Sequence, residues 1–256
     1  MDLGIKGKTA LLMGSTRGLG LGCATALVAE GAQVVINGRK TENSVKTISR
    51  LGKNAHFIQA DLTNPRECKH LFESAQAHLG TISILVTNAD GPLPGAFMSK
   101  SIKDWQTAFN NVMLSAIDMV QKCIPDMNKE GFGRIINISS VSAKKTDPGS
   151  VLANSIKPGL IGAFGTLARE MAGTGITVNS ILPGPFDTDR MRQTGAGLND
   201  LTLEEAVKLH ANKVPMKRMG TIEEFGALCA FLCSRQASYI TGQSIVIDGG
   251  YVSTLL

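Results

Sequence analysis

The sequence predicts an α/β protein built on a doubly wound parallel sheet of about seven strands, and three observations carry that prediction. Short apolar runs alternate along the whole chain with longer segments of helical spacing. Most of these runs are continuously apolar, as expected for parallel strands that helices cover on both faces. No linker, repeat or low-complexity segment interrupts the alternation. We therefore expect one domain over residues 1–256, with right-handed crossovers between its strands.

The elements follow one another in a regular order. The predicted strands are residues 9–13, 33–37, 55–59, 83–86, 134–138, 177–182 and 244–247. The clearest helical segments between them are residues 19–30, 65–79, 102–129 and 160–171. Residues 184–214 form the least regular segment, and ligands of such sheets bind beyond the carboxyl ends of the strands. We interpret this segment as a substrate lid, with a plain surface excursion as the alternative.

The composition limits the class of protein. Hydrophobic residues make up 43% of the chain and charged residues 18%, which is typical of a globular protein. The net charge of +5 is scattered, so it favours small anionic ligands slightly and does not predict a nucleic-acid partner. No stretch reaches the roughly 18 apolar residues of a membrane span, and the N-terminus does not resemble a signal peptide. These features predict a cytoplasmic protein without a membrane partner.

The five cysteines are Cys23, Cys68, Cys123, Cys229 and Cys233. Their number is odd and their positions are scattered, although the last two are four residues apart on a predicted helix. A metal pair is one interpretation of that spacing. We favour small buried hydrophobic residues in a reducing compartment, because no histidine or further cysteine lies close in sequence. No metal site is predicted.

A glycine-rich turn follows the first predicted strand and opens the first long helix. It reads Gly14-Ser15-Thr16-Arg17-Gly18-Leu19-Gly20. Glycines are needed there because the chain turns sharply and its backbone must approach a pyrophosphate. The helix N-terminus then offers free N–H groups and the positive end of a dipole to the phosphates. At the first strand-to-helix turn of an alternating chain, this motif predicts a dinucleotide site.

The end of the second strand indicates which dinucleotide is bound. It reads Asn37-Gly38-Arg39-Lys40, without the acidic residue that NAD-specific sites commonly carry near this position. Arg17 and Arg39 can instead clamp a 2′-phosphate, because guanidinium groups match phosphate oxygens. The sequence therefore favours NADP(H) over NAD(H). Surface arginines without a ligand are the alternative.

These motifs resemble those of the short-chain dehydrogenase/reductase family over nearly the whole chain. Asp61-Leu62 is similar to the family's adenine-contacting pair, and Thr87-Asn88-Ala89 to the motif that closes its fourth strand. Residues 133–140 resemble the strand that ends in the catalytic serine, and Pro183-Gly184 the nicotinamide loop. The resemblance implies a Rossmann-type fold with a nicotinamide cofactor. The cofactor-binding residues that it implies are Gly14, Ser15, Thr16, Arg17, Gly18, Leu19, Gly20, Arg39, Asp61, Leu62, Asn88, Ala89, Lys157, Pro183, Gly184 and Thr188.

The active-site positions depart from the family pattern. The family has a tyrosine 13 residues after the serine and four before a lysine, and from Ser140 that position is Ala153, followed by Lys157. The slot of the family's helix asparagine holds Val112. Asn111 precedes it but lies about 100° away around a regular helix. Asp90 stands where the family usually has glycine. Ser140 and Lys157 are therefore the predicted catalytic residues.

Loss of the tyrosine removes the group that gives a proton to the reacting oxygen, which typically costs about 10²–10⁴ in rate. Lys157 can replace it if its pKa falls from about 10. Ser140 either binds a substrate oxygen or only ties down the strand end, and His210 in the lid segment is either another proton source or a surface residue. The resemblance places neither Tyr239 nor Tyr251 at the nicotinamide. Weaker candidates on the substrate-facing segment are Lys144, Asp147, Asn154 and Ser155.

Three functions are consistent with this sequence. The first is an NADP(H)-dependent oxidoreductase, similar to the family's carbonyl reductases and alcohol dehydrogenases, with a different proton donor. The second is a cofactor-binding protein without redox activity. The third is a non-redox lyase or dehydratase that uses Lys157 as base or amine. The resemblance also implies a homodimer or homotetramer, formed through the helices at residues 102–129 and 150–171 and the strand at 244–247. A small-molecule substrate is the other expected partner.

Overall fold

The computed structural model describes residues 1–199 and 201–253, without the side chains of residues 42, 43, 196, 198 and 199. It contains a seven-stranded parallel sheet, which confirms the predicted fold class. The strands are β1 (Thr9–Leu12), β2 (Gln33–Gly38), β3 (Ala55–Gln59), β4 (Ile84–Thr87), β5 (Gly133–Ile138), β6 (Ile176–Pro183) and β7 (Ser244–Ile247). Their order across the sheet is β3-β2-β1-β4-β5-β6-β7. The order reverses between β1 and β4, which is the topological switch point where such sheets bind ligands.

Nine α-helices of the described chain connect or flank these strands. They are α1 (Gly18–Ala29), α2 (Glu42–Leu51), α3 (Pro65–Leu79), α4 (Ile102–Phe109), α5 (Ser115–Glu130), α6 (Val151–Glu170), α7 (Asp189–Asn199), α8 (Leu203–Lys213) and α9 (Ile222–Cys233). Every strand lies within one residue of its predicted bounds. The helix predicted over residues 102–129 is confirmed as an uninterrupted helical run, with a π-helical turn, Asn110–Leu114, between α4 and α5. The irregularity predicted for residues 184–214 is wrong, since α7 and α8 occupy most of that segment.

Close packing of α1 against α9 fixes one face of the sheet. Gly22 and Gly226 make this possible, because a Cβ at either position would collide with a backbone oxygen of the opposite helix. Cys23, Cys229 and Cys233 are buried in the same contact. All five cysteines are free and buried, as predicted. In the described part of the chain, no cluster of three or more possible ligand side chains is arranged to hold a metal ion. Nor does any helix described there have the length and apolar character needed to cross a membrane.

Candidate active site

The glycine turn has the backbone geometry that a pyrophosphate site needs. Gly14 and Gly18 adopt φ values of 53° and 56°, in the left-handed region that favours glycine. A Cβ on Gly20 would lie 2.7 Å from the Gly14 carbonyl oxygen. No side chain caps the N-terminus of α1, so the N–H groups of its first turn are free to bind an anion. This turn therefore fits the pyrophosphate of a dinucleotide.

Neighbouring side chains hold the turn in place. The Ser15 hydroxyl donates to the Leu12 carbonyl at 2.7 Å and accepts from the Asn37 backbone N–H at 3.1 Å. The Asn37 side-chain oxygen accepts from the Gly14 N–H at 3.2 Å, and the Asn88 amide donates to the Gly14 carbonyl at 2.7 Å. Ser15 is thus a support beneath the turn and not part of its surface. Nothing in the sequence indicated that Asn37 serves the same purpose.

A cavity of about 480 Å³ extends from this turn across the carboxyl ends of β4, β5 and β6. It brings together the larger part of the predicted site. The predicted residues that line it are Gly14, Arg17, Gly18, Leu19, Asn88, Ala89, Ser140, Lys157, Pro183, Gly184 and Thr188. Thr188 lies over the glycine turn, since a Cβ on Gly18 would be 3.6 Å from its methyl group. The cavity therefore joins the dinucleotide turn to the two predicted catalytic residues.

The other predicted cofactor residues lie outside the cavity wall. They are Ser15, Thr16, Gly20, Arg39, Asp61 and Leu62. Asp61 is half-buried after β3, where its carboxylate accepts from the Thr63 N–H at 2.9 Å. Arg39 is exposed at the end of β2 and forms a close ion pair with Asp90.

Asp90 lies at the centre of an arginine cluster at the mouth of the cavity. Its carboxylate contacts Arg39, and it lies 4.0 Å from Arg17 and 3.6 Å from Arg190. Arg190, on α7, also donates to the Gly91 carbonyl at 2.7 Å. Three guanidinium groups therefore share one carboxylate, which leaves an excess of positive charge beside the glycine turn. The sequence did not indicate Arg190, which reaches this cluster from a helix 100 residues further along the chain.

Lys157 has the most altered electrostatic environment in the cavity. Its ammonium donates to the Ser139 carbonyl at 2.8 Å. Burial, together with the positive charge of Arg190, lowers the pKa of Lys157 from 10.5 to about 8. A lysine with this pKa exchanges its proton near neutral pH, as a general acid must.

Ser140 has a structural contact as well as a position on the cavity wall. Its hydroxyl oxygen accepts from the Ser142 N–H at 3.1 Å and caps the short 3₁₀ turn Val141–Ala143. The hydroxyls of Ser139 and Ser142 are buried in the same wall, and neither has a hydrogen-bond partner among the described residues. Hydrogen-bonding capacity therefore remains beside Ser140.

The altered positions Ala153 and Val112 both line the cavity. Val112 is buried within the π-helical turn and packs with Ala108, Leu152 and Ile156. Asn111 does not line this cavity, as expected from its angular offset from Val112. The cavity wall is thus apolar at both positions.

Two further residues from the second half of the chain complete the wall. Tyr251 lies after β7 and lines the cavity, whereas Tyr239 is fully exposed. The Lys145 ammonium lies 4.8 Å from the centre of the Tyr251 ring. His210 lines the cavity from α8. The sequence had singled out His210, whereas the place of Tyr251 on the cavity wall was not predicted.

The weaker candidates on the substrate-facing segment differ in whether they line the cavity. Asp147 lines the cavity, and its backbone carbonyl accepts from the Asn154 amide at 2.9 Å. Ser155 is exposed, and its hydroxyl donates to the Val151 carbonyl at 2.8 Å. Lys144 is exposed as well. Of these four residues, the structure brings only Asp147 to the cavity.

Known proteins resemble this chain in sequence and in fold. Residues 14–252 match the family model described as enoyl-(acyl carrier protein) reductase. The 3-oxoacyl-[acyl-carrier-protein] reductase FabG of Aquifex aeolicus is 32% identical over 254 residues, which cover 98% of this chain and 99% of that protein. FabG of Salmonella typhimurium is 35% identical over 249 residues, covering 97% and 98% of the two chains.

Solved structures agree with these sequence matches. L-Sorbose reductase from Gluconobacter frateurii, solved with NADPH and L-sorbose, superposes with a TM-score of 0.94 at 29% identity over all of both chains. YwfH, an NADPH-dependent reductase involved in bacilysin biosynthesis, gives a TM-score of 0.93 at 29% identity over 98% of this chain and 100% of that one. The fold and the glycine turn define a dinucleotide-binding α/β protein. The chain belongs to the short-chain dehydrogenase/reductase family.

Proposed function

We propose that this protein is an NADP(H)-dependent oxidoreductase that interconverts a carbonyl and an alcohol, with Lys157 in place of a tyrosine as the proton donor. The observation that carries the proposal is the Lys157 ammonium, which has a pKa of about 8 and lines the same cavity as the glycine turn. The relatives named as 3-oxoacyl reductases and the two NADPH-dependent reductases of the same fold support this activity.

The arginine cluster supports NADP(H) as the cofactor. Arg17 and Arg39 lie beside the glycine turn and carry charge that Asp90 only partly neutralises. A 2′-phosphate there meets two guanidinium groups with matching geometry. The neighbouring residues include no second carboxylate paired with these arginines in the described structure. We therefore expect NADPH to bind more tightly than NADH.

The proposed reduction transfers one hydride and one proton to the carbonyl group. A reduced dinucleotide held at the turn Gly14–Gly20 would supply the hydride for the carbonyl carbon. The carbonyl oxygen takes a proton from the Lys157 ammonium, and the resulting amine regains a proton from solvent. Ser140 lies in the same wall and is available to orient the carbonyl oxygen. Ala153 and Val112 supply neither a phenol nor an amide to this step.

A direct experiment measures NADPH-dependent reduction of a panel of ketones and aldehydes by wild type and Lys157→Met. We expect Lys157→Met to lower kcat by about 10²–10⁴. In wild type, kcat for reduction falls as the pH rises through about 8, because the ammonium form is then lost. Tyr251→Phe is the matched control, since it removes the only phenol that lines the described cavity. A large loss in Tyr251→Phe with none in Lys157→Met contradicts the assignment of the proton to Lys157.

A redox-silent cofactor-binding protein is the second candidate. The apolar side chains at Ala153 and Val112 favour it, because the cavity then binds the dinucleotide without the usual proton donor. Tight NADPH binding in calorimetry, without hydride transfer to any carbonyl of the panel, supports this candidate over the first. The lowered pKa of Lys157 also suits an amine nucleophile. Borohydride trapping of a substrate adduct at Lys157 tests that non-redox alternative.

We also propose that residues 184–214 cover the substrate and that the protein self-associates. Arg190, Met191, Thr194 and His210 bring α7 and α8 onto the cavity wall, as a lid requires. Self-association uses β7, the half-buried edge strand, and the apolar groove beside Trp105 between α4 and α6. Sedimentation equilibrium is expected to give two or four copies, and a monomer at micromolar concentration contradicts the assembly.

A further inference from the structure

The Asp90 carboxylate is shared between the cofactor side and the substrate side of the cavity mouth. Its Oδ2 atom contacts Arg39, and its Oδ1 atom lies 4.0 Å from Arg17 and 3.6 Å from Arg190. Arg17 and Arg190 therefore share one oxygen atom. One carboxylate cannot neutralise three guanidinium groups, so the cluster keeps an excess of positive charge and its arginines repel one another.

Arg190 forms a bridge across the mouth of the cavity. It lies in the first turn of α7, after β6, whereas Asp90 and Gly91 follow β4. Besides its ion pair with Asp90, Arg190 donates to the Gly91 carbonyl at 2.7 Å. β4 and β6 are the two neighbours of β5 in the sheet, and β5 leads to Ser140. The bridge therefore attaches α7 to the opposite side of the candidate active site.

The helix that carries Arg190 also forms part of the substrate side of the cavity. Met191 and Thr194, on the same helix, line the cavity together with Arg190. The positive charge of Arg190 contributes to the lowered pKa of Lys157, so the two cations lie close enough to interact. A change in how firmly Arg190 is held therefore changes the surroundings of the substrate.

We infer that Asp90 pairs with Arg190 alone when the other two arginines of the cluster bind the 2′-phosphate of NADP(H). The bridge is then stronger and holds α7 against the substrate side of the cavity. A phosphate dianion neutralises Arg17 and Arg39 and repels the Asp90 carboxylate, and both effects favour the pair with Arg190. NAD(H) lacks this phosphate and leaves Asp90 shared among the three arginines.

This inference rests on the proposed reductase function and its cofactor, because it assigns a regulation of the same site by the 2′-phosphate. Asp90 and Arg190 are then positioning residues, since they act on the substrate side through α7. The coupling is reciprocal, so a bridge that the phosphate strengthens must in turn strengthen the binding of the phosphate.

Hydrogen exchange of α7 tests the inference without any reduction. Backbone amide exchange is measured by mass spectrometry in a peptide that covers α7, with the protein saturated by NADP⁺ or by NAD⁺. These two dinucleotides differ only in the 2′-phosphate. We expect exchange about two- to fivefold slower with NADP⁺ than with NAD⁺, as one half-exposed ion pair permits. In Asp90→Asn the difference should disappear.

A double-mutant cycle shows whether Arg190 acts through Asp90 or directly on the phosphate. In Arg190→Met the carboxylate stays with Arg17 and Arg39, so NADP⁺ affinity should fall about three- to fivefold in calorimetry. NAD⁺ affinity should change by less than about 1.5-fold, since no phosphate competes for the arginines. In the Asp90→Asn background, Arg190→Met should lower NADP⁺ affinity by less than about 1.5-fold as well. An equal loss in both backgrounds means that Arg190 attracts the phosphate directly, and overturns the inference.

Two further variants separate the bridge from general damage to α7. Arg192→Met makes the same change on the same helix, at an arginine that pairs with Asp187. It should leave the exchange difference and both affinities unchanged. Arg190→Lys keeps the positive charge and should retain part of the exchange difference, which provides a second variant if Arg190→Met is unstable.

The outcomes distinguish this inference from the proposed function. Equal exchange rates with NADP⁺ and NAD⁺, or a difference that persists in Asp90→Asn, overturn the inference. If wild type reduces ketones with NADPH but shows no slowing that depends on the phosphate, only the inference fails. If exchange slows with NADP⁺ but no ketone is reduced, the reductase function fails while the coupling stands. If neither dinucleotide binds, both fail.

Discussion

The two walls of the cavity differ in how completely their polar groups are paired. On the cofactor wall, Ser15, Asn37 and Asn88 hold the glycine turn through a closed set of hydrogen bonds. On the substrate wall, Ser142 and His210 have buried polar atoms without a partner in the described structure. A closed network of hydrogen bonds makes the groups that it joins rigid. The cofactor wall is therefore preformed, whereas the substrate wall retains buried polar atoms that the described residues leave unpaired.

A side chain added at the glycine turn of the preformed cofactor wall should have the largest effect on cofactor binding. In Gly20→Val the new side chain meets the backbone of Gly14 and Ser15 at less than 3 Å, so the turn must open. We expect NADPH affinity to fall more than 100-fold in calorimetry, because the backbone no longer presents its N–H groups to the phosphates.

Gly162→Ala is the matched control for this substitution. Gly162 is exposed on α6 with open space around its hypothetical Cβ. Alanine there should preserve NADPH binding and stabilise the helix by about 0.5–1 kcal/mol. Unchanged NADPH affinity in a folded Gly20→Val protein contradicts the placement of the phosphates at this turn.

Lys157 in the substrate wall should make the free energy of unfolding depend on pH. The folded protein holds Lys157 with a pKa of about 8, below the usual 10.5 of an unfolded chain. Between these values the unfolded chain binds more protons, so the free energy of unfolding rises with pH. Relative to Lys157→Met, wild type should gain at most about 3 kcal/mol from pH 7.5 to pH 10.5 in urea unfolding. Parallel pH curves for the two proteins contradict the lowered pKa.

Two serines test the contrast between the walls directly. Ser15→Ala removes a hydroxyl with two partners and should destabilise the protein by about 2 kcal/mol. Ser142→Ala removes a buried hydroxyl without a partner among the described residues, and should stabilise it by about 0.5–1 kcal/mol. Both values come from urea unfolding without cofactor. Equal destabilisation by the two substitutions means that Ser142 has a partner and that the walls do not differ in this way.

The sequence predicted the cofactor wall far better than the substrate wall, for physical reasons. The glycine turn is a local motif, because Gly14 and Gly20 are close in sequence and act through their own backbone. The strands were predicted within one residue because buried parallel strands are continuously apolar. The substrate wall is assembled from distant segments. The residues next to Arg190 or Tyr251 in the sequence therefore do not predict that these two residues reach the cavity.

Helix boundaries show the same limit. Apolar spacing looks alike on both sides of the π-helical turn, so the wider turn between α4 and α5 left no signal in the periodicity. Helix α7 was not predicted because its segment contains two glycines, Gly195 and Gly197. Glycine is unfavourable in a helix but is not excluded from it. The capping box of Thr202 and Glu205 marked the start of α8, and that signal was available in the sequence.

The smallest expected effect is a change in NADPH affinity caused by a substitution at Asp90, where the two walls meet. Its carboxylate contacts Arg17 of the cofactor wall, Arg39 just outside that wall, and Arg190 of the substrate wall. A 2′-phosphate must compete with this carboxylate for the same guanidinium groups. All four side chains are about half exposed, so each ion pair contributes little.

Asp90→Asn should therefore tighten NADPH binding by about two- to fivefold, because it removes a competing negative charge and leaves three arginines for the phosphate. NADH affinity should change less, since NADH lacks the 2′-phosphate. Arg39→Ala makes the opposite change and should weaken NADPH by about tenfold while sparing NADH. The comparison is made by calorimetry at low and high salt, and the gain in Asp90→Asn should shrink as salt screens the cluster. Weaker NADPH binding in Asp90→Asn means that the carboxylate orders the arginines for the phosphate, and that the cofactor wall depends on the substrate wall for its shape.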